Sequence, residues 1–265
     1  MRKLLLAALF IVVAVAPARA DEVSLGSLQV VEQFPLDSPR VVDPDVLTPD
    51  YSNVTNFLGS GFANGGAALQ GTNMITRLVA DDITPTGVHA GMSITQLKFS
   101  IANFNSAAVP ARPRIRFWFA DGAGGGPGTY YNLPANVGFS FNPLTVNPGV
   151  TIVTGTIGAG LFNMPAGPFW AGLTFDDLNG TTGITAAQLN GLGQGIFNPA
   201  TIGSSGDLFF VTTAAGSFFA PANPAGALGN LGGNPVASFG WEFSVDVTVP
   251  AKDASWGRIK AQYRD

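Results

Sequence analysis

The segment Phe239-Gly240-Trp241-Glu242-Phe243-Ser244-Val245-Asp246-Val247-Thr248 alternates apolar and small or polar residues over its whole length. Period-2 alternation puts one set on each face of a pleated strand, so this is the pattern of a strand packed on one side. The same pattern recurs where Leu97, Phe99 and Ile101 oppose Gln96, Lys98 and Ser100. It recurs where Ile115, Phe117 and Phe119 oppose Arg114, Arg116 and Trp118, and where Phe169, Ala171, Leu173 and Phe175 oppose Trp170, Gly172, Thr174 and Asp176. Further strands are expected at 75–80, 137–141, 150–157 and 208–213, and one short helix near Thr185 to Leu189. Turn residues separate these runs, notably Gly122 to Gly128, Asn179-Gly180 and the stretch from Pro221 to Pro235. The expectation is an all-β, antiparallel β-sandwich, jelly-roll-like, with long Gly-rich loops and one wet sheet face.

Composition agrees with that class. The 265 residues include 34 Gly, 19 Pro and 20 Phe, with 46% apolar residues, enough for a large core. Charged residues are only 11%, well under the roughly 25% of ordinary soluble domains, so Asn, Thr, Ser and Gly must form much of the exterior. There is no Cys, which excludes disulfides, thiolate metal sites and a cysteine nucleophile.

The chain starts with Arg2 and Lys3, an apolar run from Leu4 to Ala16, and Ala18-Arg19-Ala20. This order reads as a signal peptide over 1–20, with export and Asp21 as the mature start. The apolar run is shorter than the roughly 20 residues of a membrane span, and no transmembrane segment is expected after cleavage. Loss of Arg2, Lys3 and Arg19 takes the formal charge from −4 to −7. An acidic chain of this kind is a poor partner for nucleic acid. Residues 21–49, with Pro35, Pro39, Pro44 and Pro49 among aspartates, read as an extended lead-in to a domain over 50–249. Residues 250–265 differ in composition: Lys252, Arg258, Lys260 and Arg264 surround Trp256, Gly257, Ile259 and Tyr263. In a helix Trp256, Ile259 and Tyr263 share one face, and the segment reads as a sorting or docking tag, or as a terminal helix packed on the domain.

No catalytic constellation is recognisable, and the chain is not expected to be an enzyme. The sole histidine, His89, lacks a G-x-S-x-G or H-E-x-x-H context and reads as a loop residue. Glu242 and Asp246 lie four residues apart on one strand face, some 13 Å by strand rise, too far for a glycosidase pair. Adjacent carboxylates Asp81-Asp82 and Asp176-Asp177, with Asn179, read first as turn caps and second as candidate calcium ligands; no other cofactor is expected. Trp118 and Trp170 fall on the outward phase beside Arg116 and Asp176, which makes them candidate sugar-stacking residues or cover for a second apolar layer.

Val79-Ala80-Asp81-Asp82-Ile83-Thr84, Ser93-Ile94-Thr95-Gln96-Leu97 and Arg116-Phe117-Trp118-Phe119, followed by Gly125-Gly126-Pro127-Gly128, resemble motifs of a secreted β-sandwich domain common in environmental bacteria. The resemblance covers about 50–249. It implies extracellular or cell-surface residence and an undefined activity, often beside exchangeable C-terminal sorting tags. The chain departs from the best-known tagged relatives in lacking a Pro-Glu-Pro box followed by a terminal span. The functional expectation is an exported cell-surface or matrix module contacting a polysaccharide or envelope component. The alternative is a secreted carboxylate-dependent hydrolase stabilised by calcium.

Overall fold

The computed structural model describes residues 22–37, 40–41, 48–131, 138–213, 224–245 and 247. They form two sheets that are not closed into a barrel, a β-sandwich. In the first sheet the spatial order is β1 (Glu22–Ser24), β11 (Gly138–Ser140), β10 (Val109–Phe119), β14 (Phe169–Asp176), β8 (Val79–Ile83), β16 (Phe209–Thr212) and β17 (Gly226–Gly229). Short strands β6 (Ala68–Gln70), β7 (Asn73–Ile75) and β12 (Leu144–Val146) attach to it. The second sheet runs β2 (Gln29–Phe34), β13 (Gly149–Thr156), β9 (Ile94–Asn103), β15 (Leu192–Phe197), β5 (Asn56–Ala63) and β3 (Arg40–Val41). Beside β9 it adds β18 (Trp241–Val245), which in turn pairs with β4 (Pro49–Ser52).

The alternating residues fall on the expected faces except at two strand ends, where Phe119 and Val247 are each 37% exposed. Leu97, Phe99, Ile101, Ile115, Phe117, Phe169, Ala171, Leu173, Phe175, Phe239, Trp241, Phe243 and Val245 all join the cluster between the sheets. Phe117 and Phe162 stack with centroids 4.3 Å apart, and Trp241 lies parallel to Phe243 at 5.9 Å. Such aromatic contacts add to burial energies of about 1.5–3 kcal/mol per large side chain.

The expected wet face is not wet. Every residue of β14 and β18 is buried on both phases, and β9 is buried from Leu97 onward. Outside the first sheet, Ile75, Leu78, Ala80, Trp118, Tyr130, Trp170 and Phe210 form a second apolar cluster. Outside the other sheet, Phe34, Phe57 and Phe197 pack ring to ring with Val150 and Ile152. The physical reason is the composition: with 46% apolar and 11% charged residues, apolar side chains are too many for one core.

Two expectations about the chain's course also change. Glu22–Ser24 and Gln29–Phe34 are strands at the edges of the two sheets, so this part of the lead-in belongs to the sandwich. Edge positions tolerate nearby prolines because one side of the strand needs no partner. The expected strand over 75–80 is instead split into β7 and β8, with Thr76 to Leu78 between them. The short helix Ala186–Asn190 sits where expected, started by a capping box between Thr185 and Gln188.

Gly172 shows how tightly the outer face of the first sheet is filled. A Cβ there would lie 2.5 Å from Leu78 Cδ2 and 2.9 Å from a ring carbon of Trp118. Gly172→Ala is therefore expected to lower stability by about 1–3 kcal/mol through overpacking, measured by urea denaturation. An unchanged midpoint would contradict the close packing.

Candidate functional site

Strands β10 and β14 pair over eight residues, from Arg112 opposite Asp176 to Phe119 opposite Phe169. That register sets Trp118 directly against Trp170, and Arg116 against Gly172. The two tryptophans are 0% and 1% exposed, so neither offers a ring face to a sugar. Trp118 packs edge-on to Tyr130, and Trp170 Nε1 donates to Gly125 O at 2.9 Å. Arg116 is also fully buried, its guanidinium carbon 5.1 Å from the Tyr130 ring centre. The outward tryptophans thus cover a second apolar layer and do not form a stacking platform.

Asp176 is saturated by hydrogen-bond donors. Its Oδ1 lies 3.1 Å from Arg112 Nε and accepts Leu178 N–H at 3.0 Å. Its Oδ2 accepts from Arg114 Nη1 at 2.9 Å and from Asn73 Nδ2 at 3.0 Å. Asp177 Oδ1 accepts Met74 N–H at 2.9 Å, and Asn179 Oδ1 accepts the Thr72 hydroxyl at 3.1 Å. A calcium ion needs six to eight oxygens with free lone pairs, whereas here two guanidiniums already neutralise the central carboxylate. Asp176 thus caps its own turn, while Asp177 and Asn179 tie that turn to residues 72–74.

Asp81 and Asp82 form a separate group. Asp82 is the cross-strand partner of Trp170, but Asp176 is six residues further along β14, about 20 Å by strand rise, so the carboxylate candidates of the two strands do not meet. Asp81 shares the inward phase of Val79 and Ile83 and is fully buried between the sheets. Its Oδ2 accepts Phe239 N–H at 3.0 Å. Ser205 Oγ stands 3.4 Å from Asp81 Oδ1 and 3.2 Å from Asp82 Oδ1, and both Asp82 oxygens accept Gly206 N–H. Burial, and then the charge of Asp82, raise the Asp81 carboxyl well above its ordinary value. Burial also lifts Asp82 to about 6, against opposing hydrogen bonds from Gly206 and Ser205. Two carboxyls on one hydroxyl come nearest to a hydrolase arrangement, but Asp81 is closed to substrate. Amide N–H groups pointing at these oxygens also leave them ill suited to calcium.

On the second sheet Lys98 and Glu242 face each other across β9 and β18, with Nζ and Oε1 2.9 Å apart and both side chains about 5% exposed or less. Ser52 Oγ donates to the other Glu242 oxygen at 2.6 Å. Among the described residues no group of three His, Asp or Glu is placed to hold a metal. The pairing of His89 with Asp50, 3.4 Å apart, and the convergence of Tyr51, Ser205 and Ser238 near Asp81 carry no sequence signal, since partners lie tens of residues apart. The tail residues Trp256, Gly257, Ile259, Lys260, Tyr263 and Arg264 lie outside the described residues, as does the leader. No protein-family model, curated protein or solved structure matches the chain.

Two outcomes test these assignments. Asp176→Ala leaves Arg112 and Arg114 without their shared carboxylate and is expected to cost about 3–5 kcal/mol of stability by denaturant unfolding. For Asp82 the folded pKa of about 6 exceeds the unfolded value near 3.9, so the folded state holds the extra proton between them. Stability from this group is present at pH 4 and is lost as pH rises through 6. Asp82→Asn is expected to flatten the decline between pH 4 and 7, and an unaltered slope would contradict the burial of that carboxyl.

Proposed function

We propose that the chain is an exported structural and docking module of the cell surface or extracellular matrix. One observation carries this reading. The described carboxylates on the central strands β8, β14 and β18 are all engaged by internal donors: Asp81 and Asp82 by amide N–H groups and Ser205, Asp176 by two arginines, and Glu242 by Lys98 and Ser52. Groups held this way stabilise a sandwich and are not poised for acid–base or nucleophilic chemistry, which requires a side chain facing a substrate. The basic leader, apolar run and Ala18-Arg19-Ala20 supply the export signal. The change of composition at 250–265 supplies a segment for docking to an envelope component.

The hydrolase alternative has less support, because its best carboxylate pair contains the closed Asp81. Cell fractionation with intact-mass measurement tests the proposal. The expected species begins at Asp21 and is found in the envelope, with a chain ending at residue 249 shifted to the medium. Recovery from the cytosol with residues 1–20 retained would overturn export, and an unchanged distribution of the shortened chain would overturn docking through the tail.

A further inference from the structure

Two Asn-x-Thr triplets occur in the chain, Asn53-Val54-Thr55 and Asn179-Gly180-Thr181. This triplet, with any residue but proline in the middle, is the acceptor pattern for sugar transfer to an asparagine amide in exported chains. The fold treats the two in opposite ways. Asn53 is fully buried, and its Nδ2 donates to Phe197 O at 3.0 Å and to Phe239 O at 3.1 Å. A substituent on that nitrogen would disrupt these bonds, so Asn53 is closed to transfer in the folded chain.

Asn179, Gly180 and Thr181 are all exposed. They form the turn that follows β14: Thr181 N–H donates to Leu178 O at 3.2 Å, and Asn179 and Gly180 take φ of 56° and 79°. Two successive left-handed residues make a type I′ turn, which Asn-Gly adopts with least strain and which holds the pair at its tip. The turn is anchored from below, where Asn179 N–H donates to Asn73 Oδ1 at 3.0 Å and Asn179 Oδ1 accepts the Thr72 hydroxyl at 3.1 Å. Oδ1 is therefore engaged, while among the described residues Asn179 Nδ2 donates to none. Sugar transfer to Nδ2 retains the carbonyl oxygen, so the bond from Thr72 survives it. The Thr181 hydroxyl donates to Leu178 O at 2.8 Å, and its oxygen keeps lone pairs for an outside donor.

We propose that Asn179 is an N-glycosylation site that accepts an oligosaccharide from a polyprenyl-diphosphate-linked donor. In the transfer a bond forms between Nδ2 and the anomeric carbon, and the bond from that carbon to the diphosphate oxygen breaks. Polyprenyl diphosphate leaves with the electron pair, and one Nδ2 proton passes to a base of the transferase. The proposal rests on export of the chain, because this pattern is modified in exported proteins. It leaves the docking segment free. Phe169, at the other end of β14, packs against Phe243 of β18 with ring centres 5.3 Å apart, and Asp176 is seven residues away, about 23 Å by strand rise. A glycan at Asn179 thus extends from the end of the sandwich opposite to that where the chain leaves β18.

Peptide mass spectrometry of the chain recovered from envelope and medium tests the site, with the N-terminus read in the same sample. The expected chain begins at Asp21 and carries hexose or hexosamine mass on Asn179, with Asn53 unmodified. Asn179→Asp, which tolerates the left-handed turn, and Thr181→Val are expected to lose that mass with thermal unfolding unchanged, whereas Thr181→Ser keeps it. An unmodified Asn179 in a chain beginning at Asp21 would overturn the site and leave export standing. Sugar retained by Thr181→Val, or found on Asn53, would overturn it as well. If residues 1–20 are retained, export itself fails, and residues 21–265 are sent out behind an established leader in a cell that holds the transferase and its donor. Sugar on Asn179 there supports the site, and its absence overturns it.

Discussion

The eight-residue pairing of β10 with β14 is the interaction on which the rest of the structure depends. Its inward side chains, Ile115, Phe117, Phe169, Leu173 and Phe175, form the centre of the inter-sheet core. Its outward side chains include Arg114, Arg116, Trp118 and Trp170, none more than 3% exposed. The ladder therefore joins two apolar layers, one on each side of the same sheet. Arg112 and Arg114 close on Asp176 at one end of it, and the pair of tryptophans lies near the other.

Burying charge on the outer face has a physical consequence. Desolvating an ion costs several kcal/mol, so a guanidinium or carboxylate persists there only with partners at hydrogen-bond distance. Lys98 with Glu242, and Arg112 and Arg114 with Asp176, meet that condition. Between the sheets, burial raises the Asp81 carboxyl well above its ordinary value, and this carboxyl accepts Phe239 N–H. Polar bonds also tie one sheet to the other: Gln194 Nε2 donates to Val79 O at 3.2 Å and Asn64 Nδ2 to Leu173 O at 2.8 Å. In a chain without disulfides, such contacts fix the mutual position of the sheets.

The strand phases were legible in the sequence because alternation is a local property, and Leu97, Phe99, Trp241 and Phe243 all point as their spacing predicts. What local pattern does not carry is the fate of the opposite phase. Lys98, Arg116 and Trp118 read as solvent-facing, but they are covered by residues distant in the chain, such as Tyr130 over Arg116. Edge strand β2 and the interior strand β5 escape the sequence reading for a related reason: Val30 and Val31 are exposed and β5 is rich in glycine, so neither shows the half-buried signature. Candidate site residues chosen by chemistry, notably Asp176 and Trp170, were placed on the right strand face. Their roles emerge only from partners such as Arg112 and Gly125, which sequence spacing does not reveal.

Both faces of the ladder are closed to water. Three tryptophans, Trp118, Trp170 and Trp241, are buried in the described structure, and a Trp256→Phe variant removes the fourth. Acrylamide quenching of the mature variant measures their access to solvent. Blue-shifted emission with quenching far below that of the urea-unfolded chain is the predicted result. Emission near that of free tryptophan, quenched as readily in the folded as in the unfolded chain, would contradict the second buried layer.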